Sequence, residues 1–382
     1  MSEESRVSTL MKIQEQQAAK IHQLRRRFST NDYEPIKEIG SGAFGLVTLV
    51  RCKRTGERFA LKQIRKDGML KKNHRDRMLA ERNLLADLTT EWIVTLHCTF
   101  QDQQNLYMVM EYLPGGDLMS HLVRLDSFPE DTTRFYIAEL TEAVHAVHRL
   151  GFIHRDIKPD NIVLTRDGHL KLIDFGLCKF DPSVRIEAAA SDDHVVLGSS
   201  RYSTRLGHWS RAQVRSSVGT PQYMAPEVLQ KLYDHTSDFW SIGMIAYECL
   251  MGGTPFYDED VESRPNKKPS VKRILHKVAN FKQFLPIPFP GKRISPDAVS
   301  FLNGLLCEAP QRMRYDQIRS HAFFKPLNWK NLRQSRAPIV PVIARSPDSG
   351  PSPQLPLFKP LGMQRDPNMD FVGYTFNRAS PT

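Results

Sequence analysis

The sequence predicts an α+β fold, β-rich at the front and mainly helical behind, and three observations carry that expectation. Short alternating β-like runs, LVTLV and RFALKQI among them, fill residues 33–63, with Arg54-Thr55-Gly56 as a turn between them. A helical run follows at 74–88, and then LYMVMEY as a further strand. After Pro114-Gly115-Gly116 the pattern is mostly helical to about Phe324.

At 382 residues the chain is long enough for two lobes or two modest domains. Hydrophobic content of 40% and charged content of 25% are ordinary for a globular protein. No apolar run approaches the roughly 20 residues that span a bilayer, and MSEESRVSTL lacks the apolar core of a signal peptide. The five cysteines stand alone, without CxxC or histidine pairing, as expected of reduced thiols in a cytosolic or nuclear protein. The net charge of +11 is spread out, with Arg25-Arg26-Arg27 the densest run, and no aromatic-basic interleaving marks a nucleic-acid surface.

Ahead of the strands, residues 1 to about 28 read as a helix with Leu10, Ile13, Ile21, Leu24 and Phe28 at helical spacing. Residues 180–215 are polar and mixed in charge, and 335–368 are rich in Pro and Ser; both read as loop. No internal repeat is present.

Chemistry enters with Ile39-Gly40-Ser41-Gly42-Ala43-Phe44-Gly45-Leu46-Val47. Its glycines let backbone amides approach a phosphate. A dinucleotide-binding loop has similar spacing but wants a helix directly after it; the strand-turn-strand context favours a flap over a nucleotide. Lys62 in FALKQI reads either as an edge-strand lysine or as a phosphate ligand. Glu81 bears on that choice, because it shares a helix face with Met78, Leu84, Leu85 and Leu88, and a carboxylate there is costly unless paired. Lys62 is its natural partner.

FIHRDIKPDNIVL-TRDG-HLKLIDFG is the most informative stretch. Ile162–Thr165 and His169–Ile173 read as a hairpin turning at Asp167-Gly168, which sets Asn161 and Asp174 side by side. Two oxygen ligands at one mouth suit Mg²⁺ carrying a phosphate substrate. Asp156, five residues before Asn161, is placed to accept a proton from an attacking hydroxyl.

GSGAFG, Lys62, Glu81, HRDIKPDN, DFG and APE (Ala225-Pro226-Glu227) together resemble the eukaryotic protein kinase signature, over about residues 33–324. The roles that follow are those of the family template. The resemblance implies a bilobal fold, with a small β-rich N-lobe (33–112) bearing one helix and a large helical C-lobe (113–324). It implies ATP between the lobes, under the glycine loop and beside Ala60 and Val163. Met110 would stand at the back of the pocket, and Glu111 and Tyr112 on the linker. Lys62, paired with Glu81, would hold phosphates, Asp174 and Asn161 would bind Mg²⁺, and Asp156 would orient the protein hydroxyl. Lys158, in KPDN, and Thr220 point to Ser/Thr substrates, and Asp238 resembles the helix aspartate that braces the catalytic loop. A catalytically silent scaffold of the same fold is the alternative, but such proteins usually lose one of these residues and this chain has lost none.

YLPGGDLMSHL, DFGLCK and SSVGTPQYMAPE look like the AGC group and its NDR/LATS branch. That likeness assigns 1–32 to an N-terminal regulatory segment, 180–215 to an activation-segment insert, and 325–382 to a C-terminal tail with a hydrophobic motif at 371–376. In the branch the insert is basic and autoinhibitory; here Arg185, Arg201, Arg205, Arg211 and Arg215 are mixed with Asp181, Glu187, Asp192 and Asp193. Ser216, with Ser217 as neighbour, occupies the activation-loop phosphosite, facing Arg155 and Lys179. Phe371, Tyr374, Thr375 and Phe376 fit the motif F-x-x-[F/Y]-[S/T]-[F/Y]. They are expected to dock on the small lobe beside the Glu81 helix, with Thr375 a target of an upstream kinase. Pro338-Ile339-Val340-Pro341 resembles the start of such a tail. The Met11–Phe28 helix is the expected dock for a MOB coactivator. Asp117, Asp160 and Glu248 match positions that present carboxylates to substrate arginines, so substrates with Arg or His before Ser/Thr are expected.

Overall fold

The computed structural model describes residues 28–42, 45–67, 72–181, 221–230, 234–258, 269–288, 290–343 and 374–378. The expected 1–28 helix apart from Phe28, Ala43 and Phe44 of the glycine loop, Ser216, Thr220 and Phe371 lie outside them, as does nearly all of the 180–215 insert. Among the described residues one compact unit comprises 28–89, 94–112 and 374–378, and a second comprises 90–93 and 113–343.

The first unit is built on six antiparallel strands in the order β1-β2-β3-β5-β4-β10. These are β1 (Tyr33–Gly42), β2 (Gly45–Cys52), β3 (Arg58–Arg65), β4 (Leu96–Gln101), β5 (Asn105–Glu111) and, from the far end of the chain, β10 (Phe376–Asn377). Its one α-helix among the described residues is α1 (Lys72–Asp87). The predicted helical face is buried as read: Met78, Leu84, Leu85 and Leu88 are core residues, and Glu81 is buried with them. A second apolar cluster contains Tyr33, Val50, Cys52, Leu61, Cys98, Phe100, Tyr107 and Val109.

The second unit is mainly helical. It contains α2 (Leu118–Leu125), α3 (Glu130–Arg149), α4 (Pro226–Leu229), α5 (Thr236–Met251), α6 (Val271–Ala279), α7 (Phe281–Phe284), α8 (Pro296–Leu305) and α9 (Tyr315–Ser320). Helix α5 is buried along almost its whole length, which explains why its sequence shows no polar face. Two small sheets interrupt the helices: β6 (Phe152–Ile153) with β9 (Lys179–Phe180), and β7 (Ile162–Leu164) with β8 (Leu170–Leu172). Phe180, at the start of the stretch expected to be irregular, instead belongs to β9 and pairs with Phe152. The predicted hairpin strands are each slightly shorter than read, because Thr165 and His169 close the turn through the Thr165 amide and the His169 carbonyl, 2.8 Å apart.

The root of the C-terminal tail packs on that turn. Gly168 has φ +91°, and a Cβ there would stand 2.0 Å from the Ile339 carbonyl oxygen. Only glycine permits both the backbone angle and the approach. Arg333 secures the same region, donating to the carbonyls of Leu170 and Glu91 at 2.9 and 2.7 Å.

Candidate active site

In the first unit, β1 and β2 bring Gly40 opposite Val47, Ser41 opposite Leu46, and Gly42 opposite Gly45. Ile39 precedes them in β1 and is exposed. Gly45 has φ +147°, and a Cβ on it would lie 2.0 Å from the Gln63 carbonyl oxygen, so the hairpin requires glycine there. Val47 in turn pairs with Lys62, and Ala60 with Met110. Glu111 ends β5, its carboxylate accepting the Thr95 amide at 2.6 Å, and Tyr112 follows it.

Lys62 Nζ donates to Glu81 Oε1 at 2.8 Å, with side-chain exposures of 13% and 2%. The pair joins the middle of β3 to the buried face of α1. A carboxylate this deep is stable only when paired, and the sequence reading of Lys62 as that partner holds.

In the second unit, the hairpin closes the other residue set. The Ile173 amide donates to the Asn161 carbonyl at 2.9 Å, so Asn161 and the next residue, Asp174, end neighbouring strands as read. Asn161 Nδ2 donates to the backbone oxygen and Oδ2 of Asp156, at 2.8 and 3.1 Å. Lys158 Nζ reaches the same Oδ2 at 3.0 Å. Both donors use Oδ2, leaving Oδ1 of Asp156 without a donor among the described residues. Asp160 precedes Asn161 in a single 3-10 turn, and Val163 lies at the middle of β7. Asp117 Oδ1 caps α2 by accepting the Ser120 amide at 2.7 Å.

Two residues here hold left-handed backbone without being glycine: Arg155 at φ +70° and Asp174 at φ +60°. Such angles cost of the order of 1–3 kcal/mol and persist only where surroundings fix them. Asp238 of α5 supplies that fixing at Arg155. Its carboxylate accepts the amides of His154 and Arg155 at 2.8 and 2.9 Å and His148 Nε2 at 2.7 Å. Burial works to raise the Asp238 pKa, but these donors outweigh it and hold the carboxyl below the ordinary aspartate value. Burial likewise pushes the His154 imidazole down, toward neutrality.

Glu248 accepts the Tyr223 hydroxyl at 2.6 Å. Burial pushes its pKa up, Tyr223 counteracts this, and Asp160 adds to the rise. Glu227 of the APE motif is held by Arg312, whose Nη2 lies 3.1 Å from Oε2. Sequence reasoning missed Arg312; a buried arginine gives no periodic signal.

At the chain end, Tyr374 is fully buried and Thr375 exposed. Phe376 and Asn377 pair with Thr99 and Cys98 of β4. Thr99 Oγ1 donates to the Tyr374 carbonyl at 2.6 Å, and the Arg378 amide to the His97 carbonyl at 2.8 Å. Docking of the motif on the small lobe was expected beside the Glu81 helix; its pairing as an added strand on β4 was not.

The profile described as protein kinase domain matches residues 33–324. The serine/threonine-protein kinase CBK1 of Pneumocystis carinii is 36% identical, over 99% of this chain and 80% of its own. The probable serine/threonine-protein kinase ndrB of Dictyostelium discoideum is 36% identical, over 92% and 70%. The serine/threonine-protein kinase tricornered of Drosophila melanogaster is 37% identical, over 93% and 80%. These similarities mean that the chain belongs to the protein kinase family, as an AGC serine/threonine kinase of the NDR/LATS type.

Proposed function

We propose that the chain transfers the γ-phosphate of Mg·ATP to serine or threonine hydroxyls preceded by Arg or His, with Asp156 receiving the hydroxyl proton. The observation that carries this is the Asp156 carboxylate, fixed through Oδ2 by Lys158 and Asn161 and presenting Oδ1. Lys158, so placed, also offers positive charge to the transferring phosphoryl group. Lys62, oriented by Glu81, holds ATP phosphates. Asn161 and Asp174 fit Mg²⁺: their donor set is oxygen only, on two adjoining strand ends, which suits a hard cation that fills its shell with phosphate and water. When bound, Mg²⁺ neutralises phosphate charge. Asp117, Asp160 and Glu248 read the substrate arginine.

Regulation belongs to the same proposal. Phosphate on Ser216 engages Arg155 and Lys179, and phosphate on Thr375, exposed at the entry to β10, follows from an upstream kinase. A MOB-type coactivator engages the Met11–Phe28 segment. The test is transfer of labelled phosphate to serine peptides with and without an upstream arginine, with and without Thr375 phosphate and an added MOB protein. Asp156→Ala is expected to abolish transfer while ATP binding persists. Transfer undiminished by that substitution removes Asp156 from its role, and equal use of an acidic peptide removes the basic preference.

A further inference from the structure

We propose that Arg378, two residues beyond the hydrophobic motif, is a positioning residue for phosphoryl transfer: it caps the C-terminus of α1 and so holds Glu81 against Lys62. The inference rests on the reading of Lys62 and Glu81 as the phosphate-holding pair.

Three observations carry it. First, α1 ends with an electrostatic deficit of its own. A helix C-terminus exposes unpaired carbonyls and partial negative charge, normally complemented by a basic residue in the last turn. Helix α1 has none there, and its last residue, Asp87, adds negative charge. Second, the guanidinium of Arg378 supplies what is missing. Its Nη2 donates to the carbonyls of Leu85, Ala86 and Leu88 at 2.8, 3.2 and 3.1 Å, and its Nη1 to Thr89 Oγ1 at 3.0 Å. These are charge-assisted hydrogen bonds, the stronger kind, to a part-buried helix end. Burial pushes the guanidinium pKa down while Asp87 and Glu111 counteract it, and the group stays a cation in this setting.

Third, the arginine arrives by a fixed route. Its own amide is tied to the His97 carbonyl, directly after β10 pairs with β4. Tyr374, at the start of the same short segment, is fully buried, with Glu81 and Arg82 of α1 near enough to shift its hydroxyl pKa. The segment therefore reaches α1 twice: Tyr374 lies within electrostatic range of Glu81, and Arg378 is hydrogen-bonded at the end of the helix. The last turn cannot fray or slide without breaking its hydrogen bonds to Arg378, and Glu81 stands at the first of the two approaches.

The test uses the full chain with Arg378→Ala and Arg378→Lys. Hydrogen exchange reads α1 and the β10–β4 ladder separately, beside steady-state kinetics. Loss of the cap is expected to lower kcat about tenfold, with peptide KM unmoved, and to raise exchange at the amides of 84–89 by a similar factor. Protection of the Thr99 and Phe376 amides should persist. Arg378→Lys keeps the charge but not the fork, and should recover part of kcat. Unchanged kcat in Arg378→Ala overturns the proposal. So does a loss of kcat accompanied by undocking of β10 and equal to that of deleting 371–382, since Arg378 is then only a tail anchor. Glu81→Gln serves as reference: if it keeps full turnover, the reading of the Lys62–Glu81 pair fails, and the cap is judged on α1 exchange alone.

Discussion

The loop around Asp156 and helix α1 each carry a residue set to which the proposed phosphoryl transfer assigns a role, yet they are held in opposite ways. The loop around Asp156 is fixed by the interior of its own unit. Asp238, 1% exposed, takes three donors, and Asn161 and Lys158 fix Asp156. Helix α1 presents Glu81 to Lys62, which keeps 13% exposure, and its last turn is completed by a residue some 290 positions further along the chain. The loop is braced from within its unit, whereas the cap of α1 comes from the tail. On the proposed function, regulation through the tail would therefore act where the structure leaves a contact to be completed, and not on Asp156.

The largest effect expected of this contrast is at Asp238. Asp238→Ala strands three buried donors at once, a loss of about 3–5 kcal/mol. For a unit of this size that means a melting temperature lower by roughly 10 °C, and turnover should fall with stability. A variant that melts like the wild type contradicts the brace. Substitution in the tail should behave differently. Tyr374→Ala opens a cavity where the fully buried side chain sat and is expected to reduce turnover several-fold with little change in melting of the helical unit. Tyr374→Phe should be silent in both, because the buried hydroxyl finds no partner among the described residues and its loss removes no hydrogen bond. A large loss in the phenylalanine variant sharpens the account by demanding a partner for that oxygen.

The smallest effect concerns pH. His145 of α3 stacks on Tyr315 of α9 at 3.5 Å, and its pKa is pushed down to about 3, mainly by burial and also by His148, Arg149 and Arg319. A depressed folded-state pKa contributes stability that is present above about pH 6.5 and is lost as pH falls toward 3, since the unfolded chain then binds a proton the native one refuses. His145→Gln should flatten the stability curve in that window, by at most about 1.4 kcal/mol per pH unit. An unaltered slope shows that His145 does not titrate as described. In either result the catalytic loop and α1 should respond alike, so this substitution also serves as a control on the comparison.

How much of this was legible in the sequence follows from the range of each interaction. The β2–β3 pairing, the β7–β8 hairpin and the meeting of Asn161 with Asp174 rest on alternation and on a turn of a few residues, and all were readable. Glu81 announced its need for a partner because it sits on an apolar helical face. Strand β4, LHCTFQ, was not read, since its buried residues do not alternate with exposed ones. Strand β10 has two residues and pairs with a segment far away in the chain, so no local pattern marks it. The arginines that finish the structure, Arg312 on Glu227, Arg333 on Leu170 and Glu91, and Arg378 on α1, donate largely to backbone carbonyls or to one distant carboxylate. Backbone carbonyls carry no residue identity, and nothing in the sequence says which of them will be left unpaired.

The most direct measurement is native-state hydrogen exchange on the intact chain and on a chain lacking 371–382, comparing amides of 78–88 in and beyond α1 with those of His154, Arg155 and Asn161. Truncation is expected to speed exchange across 78–88 by about tenfold or more while the loop amides keep their protection. Equal acceleration in both regions, or none in α1, would contradict the claim that the tail completes the helix and that the catalytic loop stands without it.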